Sequence, residues 1–147
     1  MLLKLKVQTH MTERQLLIIK SSWSAVMQQP QEAGESFYQK LFEIDPSLQA
    51  LFKNDPELQT RKFISMMTVF VSKLQYTEEL ADVLDALAKR HVGYGVQVSH
   101  YQIVGKALMA MLALQLEALW NQETQQAWEL MYQTVADSMI SAAAEVQ

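Results

Sequence analysis

Cysteine is absent from this 147-residue chain, so neither a disulfide framework nor a thiolate metal site is available to it. Proline occurs three times and glycine four times, and so few breakers favour long helices over a turn-rich β architecture. A run of about 18 consecutive apolar residues, the length that spans a bilayer, is missing. The amino end, MLLKLKV, is too short and too interrupted by lysine for a secretory apolar core. Neither a membrane span nor a leader is therefore expected, and the cytoplasm is the expected compartment. Positive charge is also scarce: a net charge of −4 argues against a nucleic-acid footprint. Enzyme signatures are thin, with no G-x-S-x-G and no P-loop, while Gly93-x-Gly95 lacks the third glycine and the preceding strand of a dinucleotide site. His10, His91 and His100 include no i, i+4 pair of the kind that holds zinc.

What is present is hydrophobic residue at helical spacing. Half of the chain is hydrophobic, enough at this length to bury a substantial single core. Thr12 and Gln15 form a capping box before Leu16, Ile19, Trp23 and Val26. Pro30 opens a second helix, whose buried face carries Gly34, Tyr38, Leu41 and Phe42. A glycine inside a helix costs about 1 kcal/mol relative to alanine, which a close helix crossing at Gly34 would explain, with chance as the other reading. Asp45-Pro46 and Asp55-Pro56 each read as a cap followed by a first helical residue, with a turn at Lys53-Asn54 between them. They open a short helix and then a long one that buries Phe63, Met66, Met67 and Phe70. Thr77 is expected to cap the next helix, Ser99 and Gln102 to box the one after it, and Asn121–Thr124 to break that helix. A last helix follows, with Trp128, Met131, Val135 and Met139 in phase. The chain reads as an all-α domain of about seven unequal helices over residues 12–147, behind an extension at residues 1–11.

A few polar residues share the apolar faces. Leu80, Leu84 and Leu87 form a stripe that closes on His91, just before Gly93 and Gly95, which are expected to stop the helix through a left-handed cap. Tyr38 lies on the stripe of Leu41 and Phe42, Gln59 stands one turn before Phe63, and Tyr101 follows His91 by ten residues. Each taken singly reads better as a satisfied core residue, since an isolated buried polar group costs about 1–3 kcal/mol. Together, the four point to a polar site inside a helical core.

Four motifs then carry a resemblance: FYQKLFEIDPSLQALF at 37–52, QTRKF at 59–63, KRH at 89–91 and HYQIVG at 100–105. They resemble the globin family, and within it the haem domain of bacterial flavohaemoglobins and related single-domain bacterial globins, over Met11 to the carboxy end. The resemblance implies a globin fold around haem b, with His91 ligating the iron through Nε2. It makes Phe52 the aromatic wedged against the haem, and places Lys62, Phe63, Leu87, Val96, Tyr101 and Val104 around it. Tyr38 and Gln59 become the distal pair, a phenol and an amide that both donate hydrogen bonds to dioxygen. Tyr101 and Glu145 are implied behind His91, sharing the Nδ1 proton and raising the basicity of the ligand. Arg61, Lys62, Lys89 and Arg90 are candidates for the haem propionates, with plain surface charge as the other reading. Phe63 departs from the smaller aliphatic residue more usual there, which implies a narrowed entry or a displaced Gln59. The implied function is reversible binding of dioxygen and other small haem ligands, with oxidation of nitric oxide to nitrate where a separate reductase supplies electrons. An oxygen carrier or sensor without turnover, and a haem-free signalling module, are the alternatives; a monomer or a homodimer is compatible with either.

Overall fold

The computed structural model describes residues 11–53 and 55–145, and these contain six α-helices, two 3-10 segments and no strand. Apart from Met11, the extension expected at residues 1–11 lies outside the described residues, as do His10 and Asn54. Helix α1 spans Glu13–Val26. Its capping box is complete: Gln15 N–H donates to Thr12 Oγ1 at 3.1 Å, and Thr12 N–H donates to Gln15 Oε1 at 2.9 Å. Helix α2, Pro30–Ile44, starts on its proline. Asp45 Oδ1 accepts from Ser47 N–H at 3.0 Å and opens the 3-10 helix Pro46–Leu51. Asp55 Oδ2 accepts from Leu58 N–H at 3.2 Å and opens α3, Pro56–Lys73. Asn121 does the same for α6, Gln122–Ala144, accepting from Thr124 N–H at 2.9 Å.

The two remaining helices start differently from expectation. Helix α4, Thr77–Gly93, follows Tyr76 with no side-chain cap, and Thr77 is its first helical residue. Helix α5, Val98–Leu116, is capped not by Ser99 and Gln102 but by His100, whose Nδ1 accepts from Gln97 N–H at 3.0 Å. An imidazole nitrogen that carries no proton is as good an acceptor as a hydroxyl. Gly93 stays helical, and the turn beyond it rests on Gly95 alone, at φ 87°. The end of α5 also comes earlier than Asn121: Glu117 takes φ 50°, stops the helix and begins a 3-10 turn, Glu117–Leu119.

Helix α2 packs on α3 and α5, α4 packs on α6, and α1 lies across α3, α5 and α6. Two indoles fasten the crossing. The fully buried Trp128 donates to Ser22 Oγ at 2.8 Å, and Trp23, 5.9 Å from it centre to centre, donates to Thr68 Oγ1 at 3.1 Å. Gly34 explains itself at the α2–α3 crossing, where a Cβ would sit 2.2 Å from Thr60 Cγ2. Val98–Leu119 is long and apolar enough to cross a membrane by length and composition, with a mean hydropathy of 1.3. The packed core supplies a reason for that composition, because Ala107, Leu108, Met111, Leu112 and Leu116 are buried in it.

Candidate functional site

Helices α2 and α3 bring five aromatic rings together. Tyr38 lies edge-on to Phe37 at 5.1 Å, to Phe52 at 5.3 Å and to Phe63 at 6.0 Å. Phe52 closes the group from the end of the 3-10 helix, 5.6 Å from Phe42. Phe63 stacks on Phe37 at 3.9 Å with the ring planes within 10°. Inside this cluster the Tyr38 hydroxyl donates to the Gln59 carbonyl at 3.3 Å. Burial pushes the phenol well above its usual range, so it remains a donor at any physiological pH. The Gln59 side chain is half-buried and makes no hydrogen bond among the described residues, which leaves its amide free to donate. Tyr38, Gln59, Phe52 and Phe63 thus meet on one side of the core.

The second half of the site is built on α4 and the corner after it. Leu80, Leu84 and Leu87 are buried, and the half-buried His91 ends their stripe. Its Nδ1 lies 2.9 Å from the Leu87 carbonyl. A carbonyl can only accept, so Nδ1 carries a proton, and in the neutral ring Nε2 keeps its lone pair. Burial is the main cause that lowers the His91 pKa; the Leu87 bond opposes it, and the charge of Arg90 adds to it. A neutral imidazole with a bare Nε2 is what a metal ligand requires. Beyond Gly95 the chain folds back, and Val96 N–H donates to the His91 carbonyl at 3.0 Å. A cavity of about 310 Å³ lies beside this corner, walled by Val92, Val96, Val98, Tyr101, Ile140 and Ala143. Among the described residues, no hydrogen bond or ring contact joins His91 to the Tyr38 side.

The expected relay behind His91 does not form. Its Nδ1 proton is committed to the Leu87 carbonyl, one helical turn back, rather than to Tyr101 or Glu145. Glu145 follows the last residue of α6 and is exposed, while Ala143 and Ala144 occupy the wall beside Tyr101. Tyr101 itself is half-buried, and burial raises its phenol pKa. Two residues missed in the sequence hold it. The Tyr132 hydroxyl, on α6, donates to the Tyr101 backbone carbonyl at 2.5 Å. Its ring passes so close to α5 that a Cβ on Gly105 would lie 2.7 Å from Tyr132 Cε2. The glycine in HYQIVG was the available signal.

Of the basic candidates, Lys89 pairs with Asp85 at 3.0 Å, whereas Arg61, Lys62 and Arg90 are exposed and make no ion pair among the described residues. Leu87 is buried, and Val104 packs half-buried against the core. The donor chemistry fits a haem: an imidazole whose Nε2 makes no hydrogen bond among the described residues, a phenol set among aromatic rings beside the Gln59 residue, and exposed cations without an ion pair among the described residues.

The family model described as Globin matches residues 35–139, well over half of the chain, and the protein belongs to the globin family. Among curated proteins it is similar to the anaerobic nitrite reductase of Physcomitrium patens, 27% identical over 90% of this chain and 82% of that protein. It is also similar to the neuroglobin of Danio rerio, 29% identical over 88% of this chain and 90% of that one. Among solved structures, a hexacoordinated haem protein from an anhydrobiotic tardigrade shares the fold, with a TM-score of 0.83 at 17% identity, covering 92% of this chain and 97% of that one.

Proposed function

We propose that this globin binds haem b and reversibly holds dioxygen and other diatomic ligands, nitric oxide included, between His91 and the Tyr38–Gln59 pair. The observation that carries the reading is His91: its Nδ1 donates to the Leu87 carbonyl, and burial favours the neutral ring, in which Nε2 is the atom left to ligate. Bound haem supplies an iron at which small ligands attach. The chain's own residues do the rest. Phe52, Phe63, Leu87, Val96, Tyr101 and Val104 offer apolar contact to the cofactor, and Lys62, Arg61 and Arg90 offer cations to its propionates. When a ligand binds, the Tyr38 hydroxyl exchanges the Gln59 carbonyl for the ligand, and the Gln59 amide donates beside it. Each hydrogen bond to a group carrying negative charge is worth about 1.5–3 kcal/mol, which slows ligand loss.

Two forms of this function differ in turnover. The Tyr38–Gln59 pair supports nitric oxide dioxygenation with electrons from a separate reductase, and a finer placement beside flavohaemoglobins and single-domain bacterial globins. The proximal side favours the second form, an oxygen carrier or sensor. His91 Nδ1 bonds a neutral carbonyl, which draws the proton less than a carboxylate does and gives the ligand little added basicity. The moss relative's name puts nitrite reduction beside these as a third chemistry at the same centre. Mixing the purified protein with haem tests the common core: a Soret band at one haem per chain is the expected result, and its absence overturns the proposal. Steady-state consumption of nitric oxide with a cellular reductase then separates enzyme from carrier.

A further inference from the structure

Helix α5 is more apolar than its burial explains, since only 33% of its apolar window is buried. The core takes Ala107, Leu108, Met111 and Leu112, and Tyr101 and Val104 belong to the haem site proposed above. The opposite side remains. Lys106, Met109, Ala110, Ala113 and Leu114 fall there at i, i+3, i+4, i+7 and i+8, the spacing of one helix face. Met109, Ala110 and Ala113 are only half-buried, and Leu114 is 55% exposed. The two alanines let a second helix come close.

A groove of about 530 Å³ runs beside this face, between α5 and α6. Its floor is closed where the Tyr132 ring meets Gly105. Its walls carry opposite charges, Lys106 on α5 and Glu129 on α6. Both side chains are exposed, and neither forms an ion pair among the described residues. Glu129 accepts an amide hydrogen bond from Gln125 at 2.9 Å, one turn back on its own helix.

We infer that this face is a docking surface for a second copy of the chain, related to the first by a two-fold axis across the groove. A two-fold interface must be self-complementary, and a cation and an anion on facing walls meet that demand. Rotation sets each Lys106 against the partner's Glu129, which fixes the register of the two copies. The stripe from Met109 to Leu114 is buried by the same contact. A stable interface takes about 800 Å² from each partner, roughly a tenth of the 8824 Å² that this chain exposes. Helix α5, 19 residues, is about 28 Å long, and with α6 about 10 Å beside it offers an area of that order. Nothing in this arrangement depends on haem.

Sedimentation velocity on the purified full-length protein tests it from about 1 to 200 µM, because interfaces of standard area close at micromolar concentration or below. The wild type should sediment as a dimer at the upper end. Lys106→Glu and Glu129→Lys should each raise the dissociation constant roughly tenfold or more, since each sets like charges together. Mixed in equal amounts, the two variants should dimerise again, because every contact then joins unlike charges. No pairing within one chain can produce that rescue. A wild type that stays monomeric throughout overturns the inference, as does a mixture no more dimeric than its components. A monomer that sediments with neutral lipid vesicles overturns it too, and assigns the face to a membrane surface. Should either charge variant fold poorly by circular dichroism, Leu114→Lys decides in its place: a roughly tenfold weaker dimer is expected, and an unchanged one overturns the inference.

Discussion

The two sides of the site are built on opposite plans. On the distal side, five rings from α2, α3 and the 3-10 helix fill the space and hold one another at 3.9–6.0 Å. On the other side a single half-buried imidazole is oriented by one backbone carbonyl, and the corner after it borders a cavity of about 310 Å³ lined by Val92, Val96, Gln97, Val98, Tyr101 and Ile140 among others. Ring packing fixes shape, so the distal half is suited to choosing among ligands. Backbone hydrogen bonding fixes a tautomer, so the His91 half is suited to presenting one lone pair. Selectivity and ligation are therefore separable, and substitutions should affect one without the other.

The largest effect should come from His91→Ala, which removes the proposed iron ligand while leaving the aromatic cluster intact. Haem retention through gel filtration, followed by the Soret band, should be lost, and retention at the wild-type level would break the division of labour. Gly34→Val should come next, because its Cβ would meet Thr60 Cγ2 at 2.2 Å and force α2 from α3. Overpacking of this kind costs about 1–3 kcal/mol or more, measurable as a fall in the denaturation midpoint of the unloaded protein. Tyr38→Phe keeps the ring packing and deletes the hydroxyl; dioxygen should dissociate roughly tenfold to a hundredfold faster in stopped flow, with the stability nearly unchanged. An unaltered off-rate would remove Tyr38 from the ligand's hydrogen-bond partners.

Alkaline pH probes both halves at once, through Tyr38 and Tyr132. Both phenols are buried and raised above the ordinary value of 10.0. The unfolded chain then releases their protons at a pH where the folded chain still holds them. Stability should be full below pH 10.0 and decline as pH rises past it, with a shallower decline in Tyr38→Phe and Tyr132→Phe. A decline of equal slope in both variants would show that other groups govern this limb. The smallest effect is expected of Glu145→Gln: an exposed residue past the end of α6 should change stability by less than about 0.5 kcal/mol and leave the Soret band in place. A shifted Fe–His vibration in that variant would restore the relay that the geometry removes.

Much of this was legible in the chain because caps and stripes are local. Thr12 with Gln15, Asp45-Pro46, Asp55-Pro56 and Asn121 mark helix starts through bonds that span two or three residues. His91 was legible as the end of a leucine stripe. Its acceptor was less so, since a side chain can look either back along its own helix or across to another, and only packing decides. Glu145 misled for a related reason. It lies three residues past the buried Ala142, in phase with the core, but α6 ends at Ala144. Gly105 and Tyr132 were missed because their contact joins two helices 27 residues apart, beyond the reach of any periodicity. The early end of α5 at Glu117, with a positive φ on a residue other than glycine, has no local signal at all.

The clasp of Tyr132 on the Tyr101 carbonyl bears on the order in which the molecule is made. His91 and the corner after it are synthesised some forty residues before the hydroxyl that secures Tyr101. During translation, then, the ribosome must release α6 as far as Tyr132 before the clasp on Tyr101 can close. A nascent chain halted at residue 121 would carry His91, Tyr38 and Gln59 complete, yet should still let a captured haem go.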